Sequence, residues 1–504
     1  MKTSQLAPVL ALALTSVLFP QAQAAVKLPA LFSDHAVLQR GMPLPIWGTA
    51  DANEEVTVTL ADQTQTTKAG ADGKWKVILK PLKEAESLTL TVKGTNTLSV
   101  NDVAVGEVWV NSGQSNMAFM LKNDANAQAA AATSNDPQLR FFAVSANASD
   151  TPLDTVPGKW VSATPASSPT FSAVGYYFAR ELRKTLKVPV GMLSSSVGGT
   201  PAEAWTSHDA LAANPELKAI FEAQQSAMKI WPQAVENFQK NEPKLMEAWQ
   251  AKVEKAKVAG QVLPRKPAAP EDPTKSKRRP SGLYNAMIAP LQPYAIRGAI
   301  WYQGEANSQR GKQYRTLFPT MIADWRKAWS EGDFPFFFVQ IAPHQNQMPE
   351  LREAQLLTSQ NVPHTGMAVI TDYGEATNIH PKHKEPVGTR LSLAARALAY
   401  GEKIEYSGPT FDSLKIDGGK AVLKFQHAAG LTAKDGELKG FTIAGEDKNF
   451  VPAKAEIKGD TVTVSADEVT KPAAVRYGWA NIPDVNLYNE AGLPASPFRT
   501  DVEK

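Results

Sequence analysis

The chain contains no cysteine among its 504 residues. This absence excludes disulfide bonds, thiolate nucleophiles, cysteine-ligated zinc and iron–sulfur clusters from its chemistry. The chain also has no large excess of one charge, because it contains 53 basic and 50 acidic residues and its formal net charge is only +3. A nearly neutral chain lacks the electrostatic signature of proteins that bind nucleic acid or anionic membranes, so we expect a small or neutral partner molecule.

A long hydrophobic run is the third absence. The apolar stretch of residues 7–19 is shorter than the roughly 20 residues that span a bilayer, and no later segment comes closer. With Lys2 before it and the small-x-small sequence Ala22-Gln23-Ala24 after it, this stretch predicts a secretory signal peptide, residues 1–24, cleaved near Ala24. We therefore expect a periplasmic or secreted protein without a membrane span, with an uncleaved signal anchor as the alternative.

Hydrophobic patterning divides the remaining chain into three predicted parts. Short alternating runs of apolar residues predict an N-terminal β module in residues 25–103 and a C-terminal β region in residues 401–504. Between them, residues 104–400 alternate predicted strands with predicted helices, a pattern typical of an α/β layer with a mostly parallel sheet. The predicted strands are 105–110, 188–193, 299–302, 336–341 and 367–370, and the predicted helices are 174–187, 314–329 and 387–400.

Residues 207–281 interrupt this alternation with a long, charged and largely helical segment, which we interpret as an insertion on the central layer. Its end passes through Pro264-Arg265-Lys266-Pro267 into Lys275-Ser276-Lys277-Arg278-Arg279-Pro280. A basic run could bind an anionic polymer, but like-charged segments rich in proline rarely pack. The sequence therefore predicts a solvated loop without a chemical role.

One serine is placed as a nucleophile would be. Ser115 lies in Gly106-Glu107-Val108-Trp109-Val110-Asn111-Ser112-Gly113-Gln114-Ser115-Asn116-Met117, where an apolar strand runs into a small polar turn. Gly113 allows the sharp backbone reversal that leaves a hydroxyl exposed beyond the carboxyl end of a strand. Active residues of α/β sheets gather at that edge, so the sequence predicts an enzyme with Ser115 as its nucleophile.

A nucleophilic serine needs a base, and the chain offers seven histidines. His380 is the best placed, because its loop follows the predicted strand 367–370 at the same edge of the sheet. His383 is a rival in that loop, and His344 is either a substrate contact or a buried, hydrogen-bonded residue. The segment from His380 to Glu385 could be misread as a metal motif, but two lysines flank His383 and no second ligand cluster is visible. We therefore expect neither a metal nor an organic cofactor.

Three sequence blocks resemble the principal blocks of the bacterial sialate O-acetylesterase family, which are carbohydrate esterases of the SGNH-hydrolase type. They are Gly113-Gln114-Ser115-Asn116-Met117, Trp301-Tyr302-Gln303-Gly304-Glu305-Ala306-Asn307 and Asn378-Ile379-His380-Pro381, and the ending at residues 486–499 is similar too. The resemblance covers nearly all of the chain after residue 24. It implies a three-layer, flavodoxin-like α/β hydrolase domain flanked by β modules, with Ser115 as the nucleophile and His380 as its base.

The same resemblance implies donors for the oxyanion of an acyl-transfer reaction. Besides the backbone N–H of Ser115, it points to Gly199 in the Gly198-Gly199 turn and to the side chain of Gln303, with Asn307 as the second choice. The alternative for Gly198-Gly199 is a plain turn between a strand and a helix.

Further residues of the second block have open roles. Glu305 and Asn307 are candidates for an acid or a substrate contact, although Gln303 and Glu305 could equally be structural hydrogen-bonding residues beneath the site. Trp301 and Tyr302 either form a platform for a sugar or belong to the core.

The acid that would orient the imidazole is absent from its usual place. In many SGNH enzymes it stands three residues before the histidine, and in this family often two before, where this chain has Thr377 and Asn378. Asp372 and Glu375 are the available substitutes. A Ser–His dyad held by a backbone carbonyl is an equal alternative.

These expectations describe an exported serine esterase that removes O-acetyl groups from sugars through an acetyl-enzyme intermediate. The resemblance implies an O-acetylated sugar or polysaccharide as substrate, either sialic acid or an acetylated hemicellulose such as xyloglucan or xylan. A general short-chain carboxylesterase is the alternative within enzymes. A non-catalytic carbohydrate-binding protein, with its function in the β modules, is the alternative outside them.

Overall fold

The computed structural model describes residues 25–501. The predicted signal peptide, residues 1–24, lies outside the described residues. Within residues 25–501, no helix combines the length and the apolar character needed to cross a membrane.

The N-terminal part consists of short strands, most of them antiparallel. They are β1 (Val37–Gln39), β2 (Leu44–Thr49), β3 (Glu55–Leu60), β4 (Gln63–Lys68), β5 (Lys74–Leu79), β6 (Ala85–Lys93) and β7 (Thr97–Gly113). On β3, Val56, Val58 and Leu60 are fully buried while the residues between them are partly exposed, so the period-2 burial follows the sequence pattern. β3 pairs with β4 and β6, β2 pairs with β5, and β1 lies parallel to β7.

The central part is a mixed α/β layer, which confirms the predicted class. Its further strands are β8 (Asp136–Ala143), β9 (Trp160–Ala163), β10 (Val190–Ser196), β11 (Gly298–Tyr302), β12 (Phe336–Val339) and β13 (Thr365–Ala368). Its helices are α1 (Ala127–Ala132), α2 (Ala173–Leu186), α3 (His208–Ala213), α4 (Lys218–Val258), α5 (Gly311–Trp329), α6 (Pro349–Asn361) and α7 (Glu385–Leu398). Six parallel strands run in the order β13-β12-β11-β7-β10-β8, and β9 adds an antiparallel edge.

Strand β7 connects the N-terminal strands to the central ones. Its first half pairs with β6, and its second half pairs with β10 and β11. The N-terminal and central strands, apart from β2 and β5, which pair with each other, therefore form one 11-stranded sheet. β7 also crosses the boundary that the sequence places at residues 103–104, so that domain boundary stays a prediction.

Helices pack on both faces of the central sheet. Successive residues of β11 point to opposite faces, since Ile300 and Tyr302 join the apolar cluster under α2 and α7, whereas Ala299 and Trp301 join the cluster under α5 and α6. This two-sided burial explains why the central strands are continuously apolar. Because these strands are parallel, their carboxyl ends lie at one edge of the layer.

The insertion folds back on the body of the protein. α4 is 41 residues long and largely exposed, as the charged helical sequence predicts. Gln224, Trp231 and Trp249 on α4 donate side-chain hydrogen bonds to the carbonyl groups of the proline-rich segment that follows, at Pro273, Pro270 and Pro264 respectively. The segment therefore runs back along α4, and most of its residues are exposed, as the prediction of a solvated loop expects.

The C-terminal part, which the structure describes to residue 501, is built from β strands. They are β14 (Thr410–Asp417), β15 (Lys420–Gln426), β16 (Thr432–Ala433), β17 (Phe441–Ala444), β18 (Val451–Pro452), β19 (Lys454–Lys458), β20 (Thr461–Ser465), β21 (Ala474–Tyr477), β22 (Leu487–Tyr488) and β23 (Phe498–Arg499). They form sheets ordered β14-β15-β20-β19, β18-β17-β21-β23 and β16-β22. An ion pair of 2.7 Å between Arg499 and the buried Glu353 of α6 attaches this part to the central layer.

Candidate active site

Ser115 lies in a tight turn that starts where β7 ends. The backbone N–H of Met117 donates to the carbonyl of Gln114 at 2.9 Å, which closes the turn around Ser115. Gly113 has φ of 137°, and a Cβ at this position would lie 2.2 Å from the carbonyl oxygen of Tyr302 on β11. Only glycine allows this close approach, so the turn leaves the Ser115 side chain at the edge of the sheet.

His380 meets Ser115 at that edge. The distance from His380 Nε2 to Ser115 Oγ is 2.8 Å, although the two residues are 265 positions apart in the sequence. Burial lowers the pKa of the His380 imidazole below its ordinary value, and electrostatic interactions with Lys384 and His344 lower it further. The imidazole is therefore neutral near pH 7 and able to accept a proton from the hydroxyl.

The structure brings no acid to the other nitrogen of this imidazole. Within residues 25–501, His380 Nδ1 has no hydrogen-bond partner. Asp372 instead forms a two-pronged ion pair with Arg390, and both oxygen–nitrogen distances are 2.7 Å. The expectation that Asp372 could orient His380 is therefore wrong for this geometry.

Glu375 acts on the backbone of the histidine loop. Its carboxylate accepts hydrogen bonds from Asn378 Nδ2 at 3.0 Å and from the backbone N–H of Lys382 at 3.2 Å. Asn378 in turn accepts from the N–H of His380 and donates to its carbonyl, each at 3.0 Å. Glu375 therefore fixes the loop around His380 without touching the ring.

Backbone donors surround the space next to Ser115. Gly198 and Gly199 follow β10, and a Cβ on Gly198 would lie 3.3 Å from Ser115 Cβ. Gly199 has φ of 72°, a left-handed conformation that favours glycine. In the described part of the chain, the N–H groups of Ser115 and Gly199 donate to no protein acceptor, so both are free to bind a ligand oxygen.

Gln303 and Asn307 lie beneath the cleft and do not face it. Gln303 is fully buried, and its amide nitrogen donates to Thr200 O at 3.2 Å and to Asn307 Oδ1 at 2.7 Å. Because both of its N–H donors are used, the expectation that Gln303 binds an oxyanion is wrong, and the alternative of a structural hydrogen-bonding residue fits. Asn307 accepts from the N–H of Ala202 and donates to Glu203, each at 2.9 Å.

The neighbouring aromatics belong to the core. Trp301 and Tyr302 are 0% exposed. Trp301 packs edge-to-face against Trp205 and Trp325, with ring centroids 6.0 Å and 5.8 Å away. Of the two alternatives left by the sequence, the sugar platform is wrong and the core position fits.

Comparison with known proteins decides the family. Residues 274–397 match the family model described as carbohydrate esterase, sialic acid-specific acetylesterase. The sialate O-acetylesterase of Rattus norvegicus is 30% identical over 511 aligned positions, which cover 90% of either chain. The chain belongs to the sialate O-acetylesterase family. It is therefore an esterase, and the resemblance seen in the three sequence blocks is confirmed.

Other members and a solved structure agree. The sialate O-acetylesterase of Homo sapiens is 28% identical, over 90% of this chain and 88% of its own length. The crystal structure of a carbohydrate acetylesterase from Xanthomonas citri superposes with a TM-score of 0.81 and 38% identity, covering 95% of this chain and all of that one. The mixed α/β architecture with additional β sheets is thus shared with a carbohydrate esterase.

Sequence reasoning missed a buried lysine below the site of this family member. Lys384 is fully buried, and its Nζ donates to Asn116 Oδ1 at 2.6 Å. The ammonium also lies 5.0 Å from the ring centre of Phe119 and 5.2 Å from that of Tyr302. Burial lowers the pKa of Lys384 to about 7, against the opposing effect of the Glu305 charge.

Asn116 links this lysine to both halves of the site. Its amide nitrogen donates to Glu305 Oε1 at 2.5 Å and to the carbonyl of Ile379 at 3.0 Å. Asn116 follows Ser115 and Ile379 precedes His380, so one amide joins the serine turn to the histidine loop. Burial raises the pKa of the Glu305 carboxyl. The geometry therefore gives Glu305 the role of a member of this hydrogen-bond network and not that of a third catalytic acid.

Replacing Lys384 by Met is expected to change how stability depends on pH. The pKa of Lys384 is about 7 when folded and near 10.5 in an unfolded chain, so the unfolded state binds more protons between these values. The loss of stability that the wild type suffers from burying the charged Lys384 ammonium is complete below pH 7 and disappears as pH rises towards 10.5. Urea unfolding at pH 7 and pH 9 should show the wild type gaining roughly 2–3 kcal/mol relative to Lys384→Met.

The matched control is Lys382→Met. Lys382 is exposed and two residues away in the same loop, so its removal takes away no buried charge and should leave the pH dependence of stability unchanged. A constant difference between wild type and Lys384→Met at both pH values would show that the buried ammonium titrates normally.

An open cleft of about 770 Å³ lies above Ser115 and His380. Gln114, Gly198, Gly199, Glu305 and Ile379 form its floor together with the two residues. Its outer wall comes from the end of the insertion, which supplies Arg265, Glu271, Lys275, Ser276, Lys277 and Arg278. The basic run to which the sequence assigned no chemistry therefore faces the site.

Proposed function

We propose that this family member hydrolyses O-acetyl esters of sugars, with Ser115 as nucleophile and His380 as general base. The 2.8 Å hydrogen bond between Ser115 Oγ and His380 Nε2 carries the proposal, because it joins the two groups at the floor of an open cleft. Relatives named sialate O-acetylesterases support the acetyl ester as the bond that is cleaved.

In the first step, Ser115 Oγ attacks the carbonyl carbon of the acetyl group while His380 Nε2 accepts the hydroxyl proton. The backbone N–H groups of Ser115 and Gly199 donate to the oxyanion, and each such donor lowers the barrier by about 3 kcal/mol. The tetrahedral intermediate then expels the sugar hydroxyl, which takes the proton from His380. The acetyl group remains on Ser115.

In the second step, water attacks the acetyl-enzyme. His380 accepts a proton from the water and returns it to Ser115 Oγ as acetate leaves. Since no carboxylate of residues 25–501 reaches His380 Nδ1, we assign a Ser–His dyad whose imidazole is held by the loop that Asn378 and Glu375 fix. The reaction draws only on groups of this chain and on water.

The strand order supports an SGNH-type, flavodoxin-like layer. Numbered along the chain, β7, β10, β11, β12 and β13 are arranged 2-1-3-4-5, with β8 and β9 added at one edge. Export with cleavage near Ala24, and domain boundaries near residues 103 and 400, are part of the same proposal.

Acetate release tests this function directly. Wild-type protein should release acetate from 4-nitrophenyl acetate, from O-acetylated sialic acid or from acetylated xyloglucan. Because four of the side chains that line the cleft are basic, a long acyl chain would lie against charged groups, and kcat/KM for 4-nitrophenyl esters should fall at least about tenfold from acetate to octanoate. A flat chain-length profile would favour a general carboxylesterase, and no acetate from any of the three substrates would contradict the proposal.

A further inference from the structure

The end of the insertion places four basic side chains on the wall of the cleft. They are Arg265, Lys275, Lys277 and Arg278, which we call the cationic rim, and all four are exposed. Among the described residues that line the cleft, only Glu271 and Glu305 carry carboxyl groups. The mouth of the cleft is therefore positively charged in a protein whose total charge is nearly balanced.

The rim residues differ from several other basic residues of the insertion in having no ion pair among the described residues. Across the described chain, none of the four rim residues forms an ion pair with a carboxylate, whereas lysines elsewhere in the insertion do so at Lys218–Glu222, Lys240–Glu236 and Lys257–Glu254. Arg279, next in sequence to the rim, also pairs with Asp150 at 3.0 Å. Several unpaired cations facing one cleft repel one another, and an anionic ligand would relieve that repulsion.

One rim residue reaches the catalytic turn. Arg278 Nη1 donates to the carbonyl oxygen of Gly199, whose own N–H has no acceptor in the described chain. A guanidinium has five N–H donors, so most of them remain available to a ligand. An anionic group bound at the rim would therefore lie beside the position where the acetyl oxygen binds.

We propose that the cationic rim binds the carboxylate of the sugar that carries the acetyl group, so that the insertion selects acidic acetylated sugars over neutral ones. Arginine and lysine bind carboxylates through charge-assisted hydrogen bonds, and a positive cleft concentrates anionic substrates. The carboxylate does not react, so its binding acts mainly on KM. This inference rests on the proposed function of Ser115 and His380.

The test uses one sugar in two charge states. Acetate release is measured with 9-O-acetyl-N-acetylneuraminic acid and with its carboxyl methyl ester, which differ only in the anion. In the variant Arg265→Gln/Lys275→Gln/Lys277→Gln, the ratio of kcat/KM for the acid to that for the methyl ester should fall at least about tenfold, chiefly through KM. Arg278 is left in place because it contacts Gly199.

A matched variant removes the same charge elsewhere on the insertion. Lys244→Gln/Lys252→Gln/Lys255→Gln changes three exposed lysines of α4 that do not line the cleft, and it should keep the wild-type ratio. Raising the salt concentration should lower the preference of the wild type for the acid. These results together would support the rim as the carboxylate site.

Other outcomes would overturn the inference. A wild type that hydrolyses the methyl ester as efficiently as the acid, or a rim variant that loses both substrates equally, would show that the rim does not recognise the carboxylate. Failure of the proposed function looks different, because the wild type would then release no acetate from 4-nitrophenyl acetate, which carries no anion.

Discussion

Replacing Ser115 by Ala is expected to lower kcat for acetyl ester hydrolysis by about 10⁵-fold or more, with KM nearly unchanged. The reason is that the hydroxyl supplies the bond that carries the acetyl group, and nothing else in the floor of the cleft is placed to replace it. The N–H of residue 115 belongs to the backbone, so the oxyanion donor survives the substitution. The measurement is steady-state acetate release from 4-nitrophenyl acetate and from an O-acetylated sugar.

Ser112→Ala is the matched control. Ser112 lies three residues earlier on β7, is fully buried, and its hydroxyl has no partner within the described residues. Its removal loses no hydrogen bond, so activity should stay within about twofold of the wild type. If Ser115→Ala retained substantial turnover, or if both variants lost it alike, the nucleophile would have to be sought elsewhere.

His380→Ala should lower kcat by about 10⁴-fold or more, because Ser115 would lose its proton acceptor. The wild-type pH profile reports the same group. His380 must be neutral to act as a base, and burial and neighbouring charge lower its pKa below the ordinary 6.5. The acid limb of kcat/KM should therefore lie below pH 6.5, with activity complete above it and lost as pH falls through the pKa.

The control for this variant is the rival histidine of the same loop. His383 is exposed, its ring lies 6.0 Å from that of Tyr373, and it does not line the cleft above Ser115. His383→Ala should keep both the rate and the acid limb. Loss of activity in His383→Ala with retention in His380→Ala would reverse the assignment of the base.

The meeting of Ser115 and His380 could be predicted because it follows from topology. Parallel strands place their carboxyl ends at one edge, so a serine after β7 and a histidine in the loop after β13 approach each other without any knowledge of distant contacts. Most central strands and helices were predicted for a similar reason, since two-sided burial leaves long apolar patterns in the sequence.

The direction of polar side chains could not be predicted. The block containing Gln303 indicates that its amide has a role, but two of its hydrogen-bond partners, Thr200 and Tyr314, lie outside that block. Lys384 stands among charged residues and gives no signal of burial, which arises only when Asn116 and two rings surround it. A motif indicates that a residue is needed, and tertiary contacts decide what it touches.

Helix α6 was missed because its buried face is polar. Arg352, Glu353 and Gln355 are almost completely buried there, so the apolar periodicity that predicts a helix is absent. Glu353 accepts from Arg315 and Arg499, which lie far away in sequence. The sequence assigned no chemical role to the basic run of the insertion. Its place beside the cleft depends on tertiary contacts, among them three hydrogen bonds between the insertion's proline-rich segment and α4.

Strand β7 makes the N-terminal strands inseparable from the catalytic turn. A protein shortened to begin at residue 104 would lack β1, β6 and the start of β7, and the backbone of residues 104–106 would lose its strand partners and become an uncovered sheet edge that invites aggregation. The N-terminal module therefore cannot be exchanged between proteins as an independent accessory. Any recombination that preserves the turn at Ser115 has to carry the whole of Thr97–Gly113 and its partners with it.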